Sequence, residues 1–145
     1  SAEMCTLLKK RYNVYLKAKK LIVINSPIED VSFDRGEFDL ITCYSVLHHL
    51  PDYVSTIQKL SVFLKKGGIL YLDHEPSLDY TLSDFWHKKE HPLDHDEIRR
   101  VFEKEHFDFF KRSDYHLNGT WIVNPIFALY KRICKPEMSF WIAKK

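Results

Sequence analysis

The sequence predicts an α/β fold with a mostly parallel sheet, and three observations carry that prediction. Leu21–Ile24, Leu40–Cys43 and Ile69–Leu72 are short apolar runs without alternation, the pattern of parallel strands buried on both faces. Stretches of helical period alternate with them, at Ala2 to Tyr15 and Asp52 to Lys65. The second and third runs end in polar groups, Tyr44–Ser45 and Asp73–His74–Glu75. Open α/β sheets place their ligands beyond the carboxyl ends of such strands.

Each element has its own local warrant. Ser1 is placed to cap the first helix with Met4 at N3, and Met4, Leu7, Leu8 and Tyr12 share a face opposite Glu3, Lys9, Lys10 and Arg11. Leu21–Ile24 closes on Asn25–Ser26–Pro27, and an acidic turn (Asp34, Gly36, Glu37) leads into the second strand. Pro51–Asp52 opens the next helix, with Val54, Ile57, Leu60, Val62, Phe63 and Leu64 as its expected buried face. Lys65–Lys66 suit the negative end of its dipole, and Gly67–Gly68 its termination.

After the third strand, Ser77 to Lys89 sets Leu78, Leu82, Phe85 and Trp86 at helical spacing. Asp94–His95–Asp96–Glu97 is a D-x-x-E helix start, with Ile98, Val101, Phe102 and His106 on the inner face. Phe107 to His116 reads as a strand. Asn124–Pro125 begins a helix to about Cys134, and Met138 to Ala143 forms a closing strand.

Bulk properties narrow the class. A chain of 145 residues fits one domain. Its 22 basic and 20 acidic side chains predict no dominant polyanionic partner, and the early lysines have no interleaved aromatics on which bases would stack, so nucleic acid is not expected. Cys5, Cys43 and Cys134 lack zinc or redox spacing and read as reduced thiols. No apolar run approaches the roughly 20 residues of a membrane span. A cytoplasmic, soluble domain is the expectation, with no membrane partner.

Phe38 to Pro51, FDLITCYSVLHHLP, resembles the fourth strand and following loop of Rossmann-like S-adenosylmethionine (SAM)-dependent methyltransferases. The helix, KKGG, apolar strand and acidic end from Asp52 to Glu75 resemble that family's fourth helix and fifth strand, so the likeness runs over about residues 1 to 76. It implies helices on both faces of the sheet and an antiparallel edge made by the last two strands. In that family His106 stands where a glycine usually precedes the phenylalanine, and histidine tolerates the left-handed turn required there. The family's strand order is 3-2-1-4-5-7-6. Its first two strands and the helix between them, with the glycine-rich turn and ribose-binding acid, are not in these residues. The expectation is a remaining sheet that closes up as 3-4-5-7-6, with Leu21–Ile24 paired directly to Leu40–Cys43. An incomplete sheet also favours association, a homodimer in the simplest case.

The resemblance implies SAM as cofactor and places Pro27, Ile28 and Glu29 near the adenine, although Pro27 supplies neither the usual aspartate carboxylate nor an N–H. It puts Tyr44 near the methionine part through its backbone carbonyl, with Ser45, Val46 and His49 behind it. The Tyr44 side chain, Phe85 and Trp86 are then the expected walls of an acceptor pocket. Candidates for proton transfer are His48, His49, His74 and Glu75, which cluster at the two strand ends. For His48 and His49 the plainer alternative is one ring packed inward and the other solvated. His87, His91 and His95 are four apart, but Pro92 interrupts them and no metal is expected. The implied activity is methyl transfer to a small-molecule acceptor. The alternative is a non-catalytic methyltransferase-like module used for binding or dimerisation.

Overall fold

The computed structural model describes residues 1–76, 93–112 and 138–145, with the side chains of 112 and 138–140 excepted. The expected helices at Ser77–Lys89 and Asn124–Cys134, the end of the strand toward His116, and Phe85, Trp86, His87 and His91 lie outside the described residues. Two compact units divide the chain, Ser1–Ser32 and Phe33–Lys145.

In the first unit the expected helix is interrupted. α1 (Ala2–Arg11) and α2 (Asn13–Lys17) are separated by Tyr12, whose φ of −108° departs from helical geometry. The Ser1 hydroxyl accepts a hydrogen bond from the Met4 N–H at 3.3 Å, as the cap reading required. Leu21–Ile24 corrects the sequence expectation: it forms no strand. Leu21 and Val23 are half-buried and line a groove with Leu8, Tyr12 and Tyr15, while Ile22 is 79% exposed. Apolar character reports a preference for burial, but a strand also needs a neighbouring backbone, and this run has none among the described residues.

The second unit is a four-stranded sheet of order β1-β2-β4-β3. β1 (Phe38–Tyr44) and β2 (Leu64–Pro76) run parallel, with Ile41 opposite Leu70 and Tyr44 opposite Asp73. β4 (Met138–Lys144) is antiparallel to both β2 and β3 (Asp108–Arg112). The antiparallel edge expected from the closing strands is therefore present. The closing-up as 3-4-5-7-6 is not, because β1 ends the sheet among the described residues. β1 is accordingly not buried on both faces: Ile41 and Cys43 are half-buried, and Leu40 is 56% exposed.

One face of the sheet carries the core. Register lines up Ile41 with Leu70 and Ala143, and Cys43 with Leu72 and Trp141. Onto this side pack α3 (Tyr53–Phe63) and α4 (His95–Lys104) through Ile57, Leu60, Phe63, Ile98, Val101 and Phe102. Phe102 and Phe109 meet the fully buried Trp141 at ring separations of 5.6 and 5.9 Å. At ~25 cal/mol per Å² removed from water, such rings dominate the stability of the layer. The opposite face, with Leu40, Ile69, Phe110 and Ile142, is substantially exposed.

α3 also ends earlier than expected. Leu64 already has extended φ and ψ, so Lys65–Gly68 belong to β2 and cannot serve the helix dipole. The register slips here: Phe38 faces Leu64, but Leu40 faces Ile69. Lys65–Gly68 absorb the extra length as a bulge, with Gly67 at φ 80° and Lys65 paired to Asp39 at 2.8 Å. Val54 and Val62 are only half-buried, since the covered stripe runs through Thr56, Ile57, Leu60, Ser61 and Phe63. On α4, Asp94 caps as expected by accepting from the Asp96 and Glu97 N–H groups. His106 takes the left-handed turn at φ 59° but is exposed rather than on the inner face.

Candidate functional site

The carboxyl ends of β1 and β2 form one structure. Tyr44 and Asp73 are paired, and the next residue on each strand, Ser45 and His74, turns left-handed at φ 56° and 58°. Non-glycine residues rarely hold this conformation, which is common where a backbone is bent for a site. The Ser45 N–H donates to the Asp73 carbonyl at 2.8 Å, so the two turns are tied together.

Glu75 shows what the turns accomplish. Strict alternation along β2 would leave it on the Tyr71–Asp73 side, but the left-handed His74 and the slip against β4 between Leu72 and Glu75 redirect it. Its side chain is 0% exposed. Oε1 accepts from the Val46 and Leu47 N–H groups at 3.0 Å each. Oε2 accepts from the His48 N–H at 3.2 Å and meets His48 Nδ1 at 2.8 Å. A carboxylate that receives backbone donors acts as an acceptor, so the His48 proton belongs on Nδ1. Glu75 is thus not a rim residue; it is a buried clamp holding the start of the short helical turn Leu47–His49. His48 is buried with it, while His49 is exposed and its ring lies 4.1 Å from that of His48. One histidine inward and one solvated is what the structure shows.

Burial and the nearby Glu75 charge push the Cys43 thiol up to about 11. It is a protonated packing group in the strand before the turn, unsuited to nucleophilic work near neutral pH.

On the exposed side of the same strand ends, Tyr44 and His74 are in contact. The Tyr44 hydroxyl lies 2.9 Å from His74 Nε2, and the two rings are 4.3 Å apart. His74 Nδ1 lies 3.2 Å from Asp73 Oδ1, and Asp73 Oδ2 accepts from the Tyr71 hydroxyl at 3.0 Å. Asp73 belongs to the acidic strand end that the sequence offers, with His74 and Glu75, for binding or deprotonating an acceptor, whereas Tyr71 is a residue the sequence reading misses. The Y-x-D spacing on one strand face is the signal that finds it, because residues i and i+2 point the same way. Pro27, Ile28 and Glu29 lie in the first unit, where Pro27 precedes a short 3₁₀ turn over Ile28–Asp30 and the Glu29 carboxylate is exposed. Among the described residues no group of acidic, histidine or cysteine side chains is arranged to hold a metal ion.

A parallel strand pair with an antiparallel edge beyond it is the fold expected of Rossmann-like SAM-dependent methyltransferases. Residues 1–72 match the model of the methyltransferase-domain family. The chain is 37% identical over 73 residues to the highly reducing polyketide synthase Preu5 of Preussia isomera, covering 47% of this chain and 3% of that protein. It is 38% identical over 53 residues to a ubiquinone biosynthesis O-methyltransferase of Vibrio parahaemolyticus, covering 36% of this chain and 23% of that enzyme. The chain thus spans well under half the length of either curated relative. A SAM-dependent methyltransferase from Archaeoglobus fulgidus shares the fold at a TM-score of 0.61 and 15% identity, over 91% of this chain and 71% of that one.

SAM is the cofactor that goes with this family, and the turn after β1 fits one end of it. Its N–H groups from Ser45 to Leu50 are all engaged, by the Asp73 carbonyl, by Glu75, and by the Val46 and Leu47 carbonyls. What the turn has to offer is therefore oxygen acceptors around Tyr44 and Ser45. Acceptors suit the cationic sulfonium and ammonium groups of a methionine moiety.

Proposed function

We propose that this chain acts in SAM-dependent methyl transfer to a small-molecule acceptor. The observation that carries the reading is the Tyr44–Asp73 pair, with the ends of two parallel strands turned outward together. Tyr44, Ser45 and Val46 form the methionine side, held in place by Glu75, and His49 stands exposed beside them. Pro27, Ile28 and Glu29 near the adenine, and Phe85 and Trp86 as acceptor walls, rest on the resemblance alone. When bound, the cofactor supplies an already electrophilic methyl group, so the chain's own task is to position an acceptor, exclude water and remove a proton. Free thiols at Cys5 and Cys43 support a reducing, cytoplasmic setting, and no helix among the described residues is long and apolar enough to cross a membrane. The edge that β1 forms among the described residues supports association of two copies.

The second reading, a non-catalytic module used for binding or dimerisation, is favoured by Pro27, which stands where the family usually has the aspartate that accepts from the adenine amino group. Calorimetric titration with SAM and S-adenosylhomocysteine separates the two. Saturable heat with both ligands is expected of a working site, and no heat at millimolar ligand would leave the second reading in possession.

A further inference from the structure

The geometry points to a proton relay, Tyr44–His74–Asp73, that takes the proton from a phenolic acceptor. This inference rests on the methyl-transfer reading and adds to it the acceptor class and the residues that activate it. Among the described residues no other path of polar side chains leads from an exposed hydroxyl at this strand end into a partly buried base. The Tyr44 side of the path is 61% exposed, and the Asp73 end is buried.

Polarity along the path follows from its ends. Asp73 accepts from the Tyr71 hydroxyl and from the His74 backbone N–H at 2.8 Å, so its carboxylate is held as an acceptor. Facing that carboxylate at 3.2 Å, His74 Nδ1 carries the ring proton. Nε2 then has a lone pair, and it is the atom that lies 2.9 Å from the Tyr44 hydroxyl. Tyr44 donates inward and keeps its oxygen lone pairs for a donor arriving from outside. The left-handed backbone at His74 and the contact of its ring with that of Tyr44 hold this arrangement in place.

The chemistry of the relay selects the acceptor. The net transfer runs from the acceptor O–H to an imidazole nitrogen, and a phenol, an acid of about 10, lies only a few pKa units above an imidazolium. A simple alcohol, about as weak an acid as water at roughly 15.7, would face a steep climb at the same step. In the reaction the acceptor O–H gives its proton to Tyr44 Oη while the Tyr44 proton passes to His74 Nε2, leaving an imidazolium beside Asp73. The acceptor oxygen then attacks a methyl carbon carried by a sulfonium donor. An O–C bond forms, the C–S bond breaks with its electrons left on sulfur, and His74 later releases the proton to water.

4-Nitrophenol tests the relay without turnover, because its anion absorbs in the visible. Bound to the full 145-residue chain in buffer just acidic of its own ionisation, it is expected to show the phenolate band. Tyr44→Phe breaks the relay, and His74→Asn removes the base while keeping a residue that tolerates the left-handed backbone. Each is expected to lose most of the band, at least fivefold, with melting unchanged. Absence of the band in the native chain, or its persistence in both variants, would overturn the relay. S-adenosylhomocysteine binding is measured alongside: its retention without a band sinks the relay alone, and its absence with a band sinks the methyl-transfer reading alone.

Discussion

Ser45 and His74 stand side by side in the left-handed region, each one residue past the paired Tyr44 and Asp73. Two non-glycine residues in this conformation store on the order of 1–3 kcal/mol each. Glycine relieves the backbone cost, and a β-branched side chain raises it. Ser45→Gly is therefore expected to leave stability unchanged or raise it by up to about 1 kcal/mol, and Ser45→Val to lower it by about 1–3 kcal/mol. Urea unfolding measures both. Equal midpoints for the two variants would mean that the turn is not strained.

Glu75 is expected to be the most sensitive polar residue of the second unit. Alanine in its place leaves the N–H groups of Val46, Leu47 and His48, and the His48 ring, without their common acceptor. Removing one side of a buried charged cluster costs about 3–5 kcal/mol. Glutamine retains the volume but turns an NH₂ toward backbone donors, so it should fall between alanine and the native residue. A Glu75→Ala protein within about 1 kcal/mol of native in urea unfolding would show that the clamp contributes little.

Cys43 should be slow toward alkylating reagents despite its half-exposed position. With the thiol at about 11, burial first and the Glu75 charge second, only a small thiolate fraction exists at pH 8. Against an unperturbed thiol near 8.5, the folded chain should react on the order of a hundredfold more slowly than the same cysteine in urea. Peptide mass spectrometry after timed iodoacetamide exposure reads this ratio. Glu75→Gln should narrow it by removing the charge. Equal rates folded and unfolded would contradict the burial of the thiol.

Legibility in the sequence followed whether local pattern or tertiary context decided each feature. The caps at Ser1 and Asp94 follow from short-range chemistry and are present, while the adjacency of the Tyr44 and Asp73 strand ends and the left-handed His106 came with the family resemblance and are present too. Leu21–Ile24 has the same apolar signature as β2 yet forms no strand, because periodicity describes side-chain environment and is silent about backbone partners. β1 likewise reads as buried but has one neighbour among the described residues. Gly67–Gly68 reads as a helix stop, and the structure uses it as a bulge inside β2, since Leu64 is already extended. Glu75 was visible as a candidate acid but not as a clamp. Its inward direction depends on the left-handed His74, which composition and spacing do not announce.

Acid should loosen α4 through its cap. The Asp94 carboxyl is partly desolvated, which raises its pKa, but the Glu97 and Asp96 N–H groups and Arg100 prevail and hold it below the usual aspartate value. A depressed folded pKa means that this stabilisation is complete above about 3.9, the unfolded value, and is lost as pH falls through the folded one. The group is close to the surface, so its contribution is bounded by the capping scale of about 0.5–2 kcal/mol, at the low end after solvent screening. Asp94→Asn keeps a capping oxygen without a titrating charge. It should match the native chain at low pH, fall slightly short of it near neutrality, and flatten the acid limb of the stability profile. Asp94→Ala should lose about 1 kcal/mol at neutral pH and show the same flattening. Thermal melts from pH 2 to 7 followed by circular dichroism resolve the three curves. Parallel acid limbs in all three would place the acid sensitivity elsewhere, with Asp52, whose carboxyl is likewise lowered by the Ser55 N–H at the start of α3, as the next group to substitute.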